Sequence, residues 1–129
     1  MASLFTRIVQ GEIPCHKVAE DERFLAFLDI NPLREGHTLV IPKHEVDKFF
    51  DLPGDLLSDI MPFAQQVAAK IARVVPCDRV GVSVMGLEVP HAHMHLIPID
   101  SVSDMDFSRP KLKLTSERLA AIAERIRNA

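Results

Sequence analysis

The sequence predicts an α+β fold with a five-stranded antiparallel sheet, one long packed helix, a short N-terminal helix and a C-terminal helix. The length of 129 residues is close to the commonest single-domain size, so we expect one domain over residues 1–129. Apolar residues make up 47% and charged residues 26%, which is typical of a globular chain with one core. Several extended runs follow one another without an intervening helix, which favours antiparallel pairing.

The first predicted element is a short helix near the N-terminus. Ser3 is a suitable N-cap, and Leu4, Phe5 and Ile8 fall on one face of the turns that follow. Gly11 is expected to end the helix, because glycine adopts the left-handed backbone conformation at low cost.

Three strands are predicted next. Residues 17–20 and 22–30 are extended runs on either side of Asp21, which marks a tight turn. Residues 38–41 are rich in β-branched side chains and are closed by Pro42. These runs predict an antiparallel hairpin followed by a third strand.

The longest predicted helix covers about 54–75, where apolar residues recur with the helical period. Pro62 lies within it and predicts a kink or a restart, because proline lacks the N–H that a helix interior requires. Pro76 is expected to end the helix. Two further strands are predicted over 80–84 and 91–98.

The C-terminal part of the chain is predicted to consist of an exposed arm followed by a helix. A final amphipathic helix is predicted to begin at Thr115 or Ser116, either of which can cap it. Residues 100–114, before this helix, predict an exposed arm. We therefore divide the domain into a core over about 3–98 and a C-terminal arm and helix over about 99–129.

Charge and composition exclude several classes of function. Lys and Arg number 15 against 18 Asp and Glu, so no basic field is present to attract nucleic acid or anionic lipid. Trp and Tyr are both zero, which removes the usual stacking platform for single-stranded nucleic acid.

No apolar run is long enough to span a bilayer, and the start lacks a signal-peptide pattern. The two cysteines lack CxxC spacing, and we expect a reduced, cytoplasmic location.

The most informative segment has His91, His93 and His95 at every second position, with apolar residues between them. A strand sends alternate side chains to opposite faces, so we expect the imidazoles on one face, about 7 Å apart. Neutral histidine is a nucleophile, so His93 is a candidate to attack phosphorus while its neighbours donate to phosphate oxygens or shuttle a proton. A solvent-facing strand and a zinc site stay open as interpretations, although zinc would need His37 or another segment.

The pattern from His91 to His95, followed by two apolar residues, resembles the histidine triad (HIT) family of nucleotide hydrolases and transferases. Three upstream segments are similar to the family's successive blocks and occur in the same order: 5–14, 26–32 and 36–43. The resemblance covers roughly residues 3–98 and implies a HIT-like fold. It also implies a homodimer in which the sheet continues across the interface.

The resemblance implies a role for each matching residue of the catalytic centre. His93 matches the nucleophile that forms a covalent nucleotidyl-histidine intermediate, and His95 matches the histidine that contacts the phosphate. His91 and His37 match histidines that orient the nucleophile and relay protons. Asp29 matches the acidic residue that accepts hydrogen bonds from the ribose hydroxyls, although the same residue is also suited to a turn at a strand end.

Further matches are implied around the nucleotide. Ile8, Phe27 and Ile30 match residues near the base, where apolar side chains are more often simply part of a core. Gly86 matches a glycine whose backbone approaches the phosphate. We expect Ser83 to replace a polar phosphate contact that many family members place on the strand before the triad.

Two departures from the family pattern bear on the site. Leu87 and Glu88 occupy its rim, where a carboxylate repels the substrate phosphate unless the side chain points away. Glu88 stays among the nucleotide-binding candidates. Zinc-binding members carry CxxC near the N-terminus, whereas the matching positions here are Ser3 and Thr6, so we expect neither a zinc ion nor another cofactor.

These interpretations combine into one functional hypothesis. The expected reaction is hydrolysis of a nucleoside monophosphate from an amine or another leaving group, which is a phosphoramidase-like activity. The expected substrate is a purine nucleotide or a nucleoside phosphoramidate. Three alternatives stay open: a dinucleoside polyphosphate hydrolase, a nucleotide-binding protein with little turnover, and a histidine-ligated metalloprotein.

Overall fold

A five-stranded antiparallel sheet lies at the centre of the computed structural model, which describes residues 2–129. The helices and strands, in chain order, are α1 (Leu4–Val9), β1 (Lys17–Glu20), β2 (Phe24–Leu28), β3 (Thr38–Pro42), α2 (Gly54–Val74), β4 (Arg79–Ser83), β5 (Met94–Ile99) and α3 (Ser116–Arg127). Two 3₁₀ turns lie in the connections, at Phe49–Asp51 and Val102–Met105. The strands lie in the order β1-β2-β3-β5-β4, which confirms the predicted fold class.

Local hydrogen bonds set the ends of the first elements. The Oγ of Ser3 caps α1 by accepting from the N–H of Thr6 at 3.0 Å. The β1–β2 turn is held by Asp21, whose Oδ1 accepts from the N–H groups two and three residues later. Because this turn extends to Phe24, β2 begins there instead of at residue 22. The strand ends at Leu28, two residues before the end of the predicted run.

Helix α2 continues through Pro62 without interruption, so the predicted restart does not occur. Pro62 is exposed, and water can therefore satisfy the carbonyl that its missing N–H leaves free. The opposite face of α2 packs with α3 against the sheet through its buried residues Leu56, Ile60, Ala64, Val67 and Ile71. No helix in the described part of the chain is long and apolar enough to cross a membrane.

A second, smaller core covers the other face of the sheet. Phe5 of α1 packs there with side chains from β2 and β3: Leu25, Phe27, Leu39 and Ile41. Every residue of these two strands is buried, which explains why their sequences are continuously apolar rather than alternating. Leu39 pairs directly with His95 across the sheet, so His95 lies on this second face.

Strand β5 begins at Met94, whereas the sequence predicts a strand from His91. The correction has a local cause, because the N–H of Ala92 donates to the carbonyl of Val46 at 2.6 Å instead of pairing within the sheet. His91 lies in a bend before the strand. Of the triad, only His95 lies within β5, so the imidazoles are not arranged along one regular strand.

The segment over 100–114, called the arm below, folds back against the domain instead of extending from it. Near its start, Asp104 forms an ion pair with Arg34 at 2.9 Å. Near its end, the N–H of Leu112 donates to the carbonyl of Pro32 at 2.8 Å. These attachments hold the middle of the arm against the sheet face that contains His95. Most of the arm is exposed, as predicted, whereas four of its side chains are half-buried: Asp104, Met105, Phe107 and Leu114.

Candidate active site

A cavity of about 450 Å³ opens on the second sheet face, between α1, the loop over 85–89 and the arm. This volume is in the range of small-molecule sites. Its polar lining includes His37, His93 and His95, and its apolar lining includes Phe27. The cavity therefore combines histidines with apolar surface, as a site for a base linked to a phosphate requires.

The orientation of His93 is set by a backbone carbonyl. Its Nδ1 lies 2.7 Å from the carbonyl oxygen of His91. A carbonyl only accepts hydrogen bonds, so neutral His93 must have its proton on Nδ1. The Nε2 of His93 therefore has a free lone pair, which is the form that a nucleophile or general base requires.

His95 is held in the opposite tautomer by a chain of two imidazoles. The N–H of Leu33 donates to Nδ1 of His37 at 3.0 Å, so neutral His37 has its proton on Nε2. That Nε2 lies 2.9 Å from Nδ1 of His95, which must accept the proton. The Nε2 of His95 therefore bears a hydrogen and can donate to a phosphate oxygen.

The two cavity histidines form a donor and acceptor pair. The ring centroids of His93 and His95 are 5.1 Å apart, with the rings at 68° to one another. One Nε2 offers a lone pair and its neighbour offers a hydrogen. This arrangement suits attack on a phosphorus atom whose nonbridging oxygen is stabilised at the same time.

Burial keeps the imidazoles of the His37–His95 chain neutral. It lowers the pKa of His37 to about 3, with smaller contributions from His95 and Lys111. It lowers the pKa of His95 to about 4, with smaller contributions from His93 and Lys111. Both histidines are thus uncharged near neutral pH, as the tautomer assignment requires.

The imidazole of His91 is fully buried and is not among the described groups that line the cavity. Its Nε2 lies 2.8 Å from the carbonyl of Pro42, and its Nδ1 lies 2.8 Å from Oγ of Ser3. Burial lowers its pKa. The expectation that His91 flanks the phosphate is therefore wrong in its geometry, whereas its carbonyl does orient His93.

Asp29 serves as both a turn residue and a cavity residue. Its Oδ1 accepts from the N–H of Asn31 at 2.8 Å, and its Oδ2 lies 3.6 Å from Nε2 of His37. Burial raises the pKa of Asp29, and the hydrogen bond from Asn31 opposes that effect. The carboxylate lines the cavity, where it is placed to accept from hydroxyl groups of a ligand.

Five of the remaining sequence candidates line the cavity: Ile8, Phe27, Ile30, Gly86 and Glu88. Gly86 has a φ of +72°, and a Cβ there would meet no atom within 4 Å. Its backbone conformation, not crowding by protein atoms, therefore favours glycine. Ser83 is not among the described residues that line the cavity, and it pairs with His95 across the sheet.

The structure adds two cavity residues from the arm that the sequence analysis missed. The ring of Phe107 meets the ring of His95 edge to face at 4.8 Å, and that of His37 at 6.2 Å. Lys111 also lines the cavity, and its Nζ donates to the carbonyl of Phe107 at 2.5 Å. The one available signal was that Phe107 is the single aromatic residue of the arm.

A group of potential metal ligands is formed by Asp29, His37 and His95, with one ligand atom of each within 4.8 Å of the others. The nearest nitrogen atoms of the two histidines already share a hydrogen bond. A metal ion at this point would have to replace that bond. The triad imidazoles do not converge on one point, because both nitrogen atoms of His91 are bonded elsewhere.

The fold and the site define a small α+β domain with a histidine-lined cavity of a size suited to a small molecule. The HIT domain family model matches residues 10–102. An adenosine 5'-monophosphoramidase of Saccharomyces cerevisiae is 39% identical over 102 residues, which cover 75% of this chain and 62% of that protein. The match therefore spans less than two thirds of the yeast relative.

Two further relatives are similar over almost the whole chain. An adenosine 5'-monophosphoramidase of Schizosaccharomyces pombe is 33% identical, over 98% of this chain and 96% of its own length. The crystal structure of a Hit-like protein from Bartonella henselae superposes with a TM-score of 0.84 at 28% identity, covering 98% of this chain and 95% of that one. The chain belongs to the HIT family.

Proposed function

We propose that this protein hydrolyses nucleoside phosphoramidates or related nucleotides through a nucleotidyl-His93 intermediate. The observation that supports this most directly is the opposite tautomers of His93 and His95 at the cavity wall. The phosphoramidases of the two yeasts are relatives with this activity in their names. Family, cavity and tautomers all favour the same chemistry.

The proposed reaction has two balanced steps. In the first, Nε2 of His93 attacks phosphorus, the bond from phosphorus to the leaving nitrogen breaks, and the departing amine takes one proton from solvent. The Nε2–H of His95 stabilises the charge on a nonbridging oxygen during this step. In the second, water attacks phosphorus, the bond to Nε2 breaks, and the nucleoside monophosphate leaves while one proton returns to solvent.

The rest of the cavity suits the nucleotide part of such a substrate. In the proposed pose, Asp29 accepts from the ribose hydroxyls, and the apolar side chains of Ile8, Phe27 and Ile30 contact the base. Glu88 lies at the rim, where its carboxylate opposes phosphate binding unless it points to solvent. Lys111 is the one Lys or Arg among the described residues that line the cavity, and it offsets this negative charge.

The test is steady-state hydrolysis of an adenosine phosphoramidate by the parent protein and by His93→Ala, with and without a chelator. We expect chelator-resistant turnover that falls at least about 10³-fold in His93→Ala, because the covalent route is removed. His16→Ala is the matched control, since His16 is not among the described cavity residues. Unchanged turnover in His93→Ala would contradict the proposal.

The same assay separates the alternatives. A preference for a diadenosine polyphosphate over the phosphoramidate favours the dinucleoside polyphosphate hydrolase. Nucleotide binding without product favours a binding protein, and turnover lost to the chelator favours a metalloprotein. Rapid quenching followed by mass spectrometry of the peptide that contains His93 tests for the nucleotidyl adduct.

We also propose that two copies pair along β4, which is an edge strand. Val82 of β4 is 48% exposed and Val84, just after the strand, is 38% exposed, and an uncovered apolar edge favours pairing with another strand. Light scattering should report a dimer for the parent protein and a monomer for Val82→Lys. A parent protein that is monomeric at all concentrations tested contradicts this part of the proposal. The cytoplasmic location stays a prediction.

A further inference from the structure

Three polar residues outside the cavity converge on the buried imidazole of His91. They are Ser3 and Thr6 of the N-terminal helix and Glu45 of the loop after β3, and we call them the N-terminal polar cluster. One oxygen of Glu45, Oε1, accepts from the N–H of Ser3 at 2.7 Å and from the hydroxyl of Thr6 at 2.6 Å. Both bonds lower the pKa of the exposed Glu45, which is about 2, and the bond from Thr6 has the larger effect.

The proton positions in this cluster follow from its acceptors. The hydroxyl of Thr6 donates its one hydrogen bond to Glu45. It therefore cannot also donate to Oγ of Ser3 or to Nδ1 of His91, each of which lies 3.3 Å from its oxygen. The carbonyl of Pro42 can only accept, so the proton of His91 lies on Nε2, which donates to that carbonyl at 2.8 Å. Nδ1 of His91 must therefore accept, and the hydroxyl of Ser3 is its donor at 2.8 Å. Every polar hydrogen of the cluster thus has an assigned acceptor.

His91 links the N-terminal polar cluster to the cavity. Its backbone carbonyl accepts from Nδ1 of His93 at 2.7 Å, so the place and direction of that carbonyl decide where Nε2 of His93 points. Phe5, which lies between the two cluster residues of α1, also packs edge to face on His93 at 5.1 Å. The docking of α1 and the orientation of His93 are therefore coupled by a polar and an apolar contact.

We propose that the N-terminal polar cluster is a positioning site for His93, acting through His91. The inference rests on the proposed function for the role of His93. A helix cap alone would need only the bond from the N–H of Thr6 to Oγ of Ser3. The cap does not require the hydroxyl protons of Ser3 and Thr6 or the carboxylate of Glu45. Glu45 instead holds the N–H of Ser3 and the hydroxyl of Thr6, while the hydroxyl of Ser3 bonds to His91.

Ring nitrogen shifts test the proposal independently of turnover. Long-range ¹H–¹⁵N spectra report which nitrogen of His91 and of His93 is protonated, and a C-terminal tag leaves the surroundings of Ser3 unchanged. In the parent protein we expect His91 protonated on Nε2 and His93 on Nδ1. In Ser3→Ala and in Glu45→Ala we expect the nitrogen shifts of His93 to move toward those of a mixture of tautomers.

Kinetics on the adenosine phosphoramidate provide the second readout. We expect kcat to fall about tenfold in Ser3→Ala with KM within about twofold, because a small displacement of the nucleophile costs less than the roughly hundredfold loss of a 1 Å displacement. Glu45→Ala should lose less, about threefold, since it releases the N–H of Ser3 and the hydroxyl of Thr6 but keeps the bond from Ser3 to His91. Ser3→Thr, which keeps the hydroxyl, should restore most of kcat.

Glu35→Ala is the matched control, because Glu35 is another carboxylate that accepts two hydrogen bonds, from Arg118, but has no link to the triad. Unchanged ring shifts of His93 in both cluster variants overturn the positioning proposal, whatever the turnover. Absence of turnover in the parent protein would instead count against the proposed function, and the shifts would still decide the role of the cluster. If Ser3→Ala does not fold, the exposed Glu45→Ala variant decides.

Discussion

The two histidines at the cavity wall are held in opposite tautomers by their surroundings. His93 faces a backbone carbonyl, which can only accept, and so keeps its proton on Nδ1. His95 faces the N–H of His37, which can only donate while Leu33 donates to the other nitrogen of His37. The partner of Nδ1 therefore decides the role of Nε2, which offers a lone pair in His93 and donates a hydrogen in His95.

The two supports also differ in how they are built. The support of His93 comes through the backbone of His91, whose side chain bonds to the buried Ser3 of the N-terminal polar cluster. The support of His95 comes through the buried side chain of His37, with Phe107 of the arm packed beside both rings. Changes to each support should therefore have distinct effects on nucleophilic attack and on charge stabilisation.

After loss of the nucleophile itself, the largest effect is expected from removing the donor half of the pair. His95→Ala should lower kcat by about 10²- to 10³-fold, because a hydrogen bond to the developing charge is lost while His93 remains. KM should change little. Single-turnover assays should show slower formation of the adduct, and unchanged adduct formation would sink the donor role of His95.

A smaller effect is expected from removing Phe107, the arm residue that packs against His95. Phe107→Ala exposes His95, so its pKa should rise from about 4 toward the ordinary value of 6.5. A protonated His95 has hydrogens on both nitrogens, and its Nδ1–H then faces the Nε2–H of His37. Activity should therefore be lost at a higher pH than in the parent protein, which a pH profile of kcat measures. An unchanged acidic limb would show that Phe107 does not shield His95.

The smallest effect is expected from the charge of Lys111. This charge lowers the pKa values of Asp29, His37 and His95, so Lys111→Met should raise all three slightly. KM for the nucleotide should rise about two- to threefold, because an exposed charge interacts weakly through water. Lys113→Met is the matched control, since Lys113 is not among the described cavity residues. Equal KM values in the two variants would show that Lys111 has no part in binding.

Much of the fold could be predicted because its signals are local. The helical period over 54–75 and the N-caps at Ser3 and Thr115 depend on neighbouring residues, and the structure places all of them as expected. The start of β5 was missed because a bond between Ala92 and Val46, distant in sequence, ends the pairing. Strict alternation of histidines therefore predicted a longer strand than the one that forms.

The site could be predicted less completely. The triad histidines were identified from their alternation, and His37 and Asp29 were assigned to the site from a resemblance. The tautomers of the histidines could not be predicted, because they depend on partners such as Leu33 and Pro42. The contact between Ser3 and Glu45 spans 42 residues and has no periodic signal. Phe107 belongs to the arm, beyond the region that the family model matches, so neither periodicity nor resemblance could place it.

His93 and His95 are held in opposite tautomers, and the proposed chemistry depends on this difference. A long-range ¹H–¹⁵N spectrum of the parent protein near neutral pH, assigned with His93→Ala and His95→Ala, tests it directly. The structure requires His93 protonated on Nδ1 and His95 protonated on Nε2. Finding both rings protonated on the same nitrogen would contradict this account of the site.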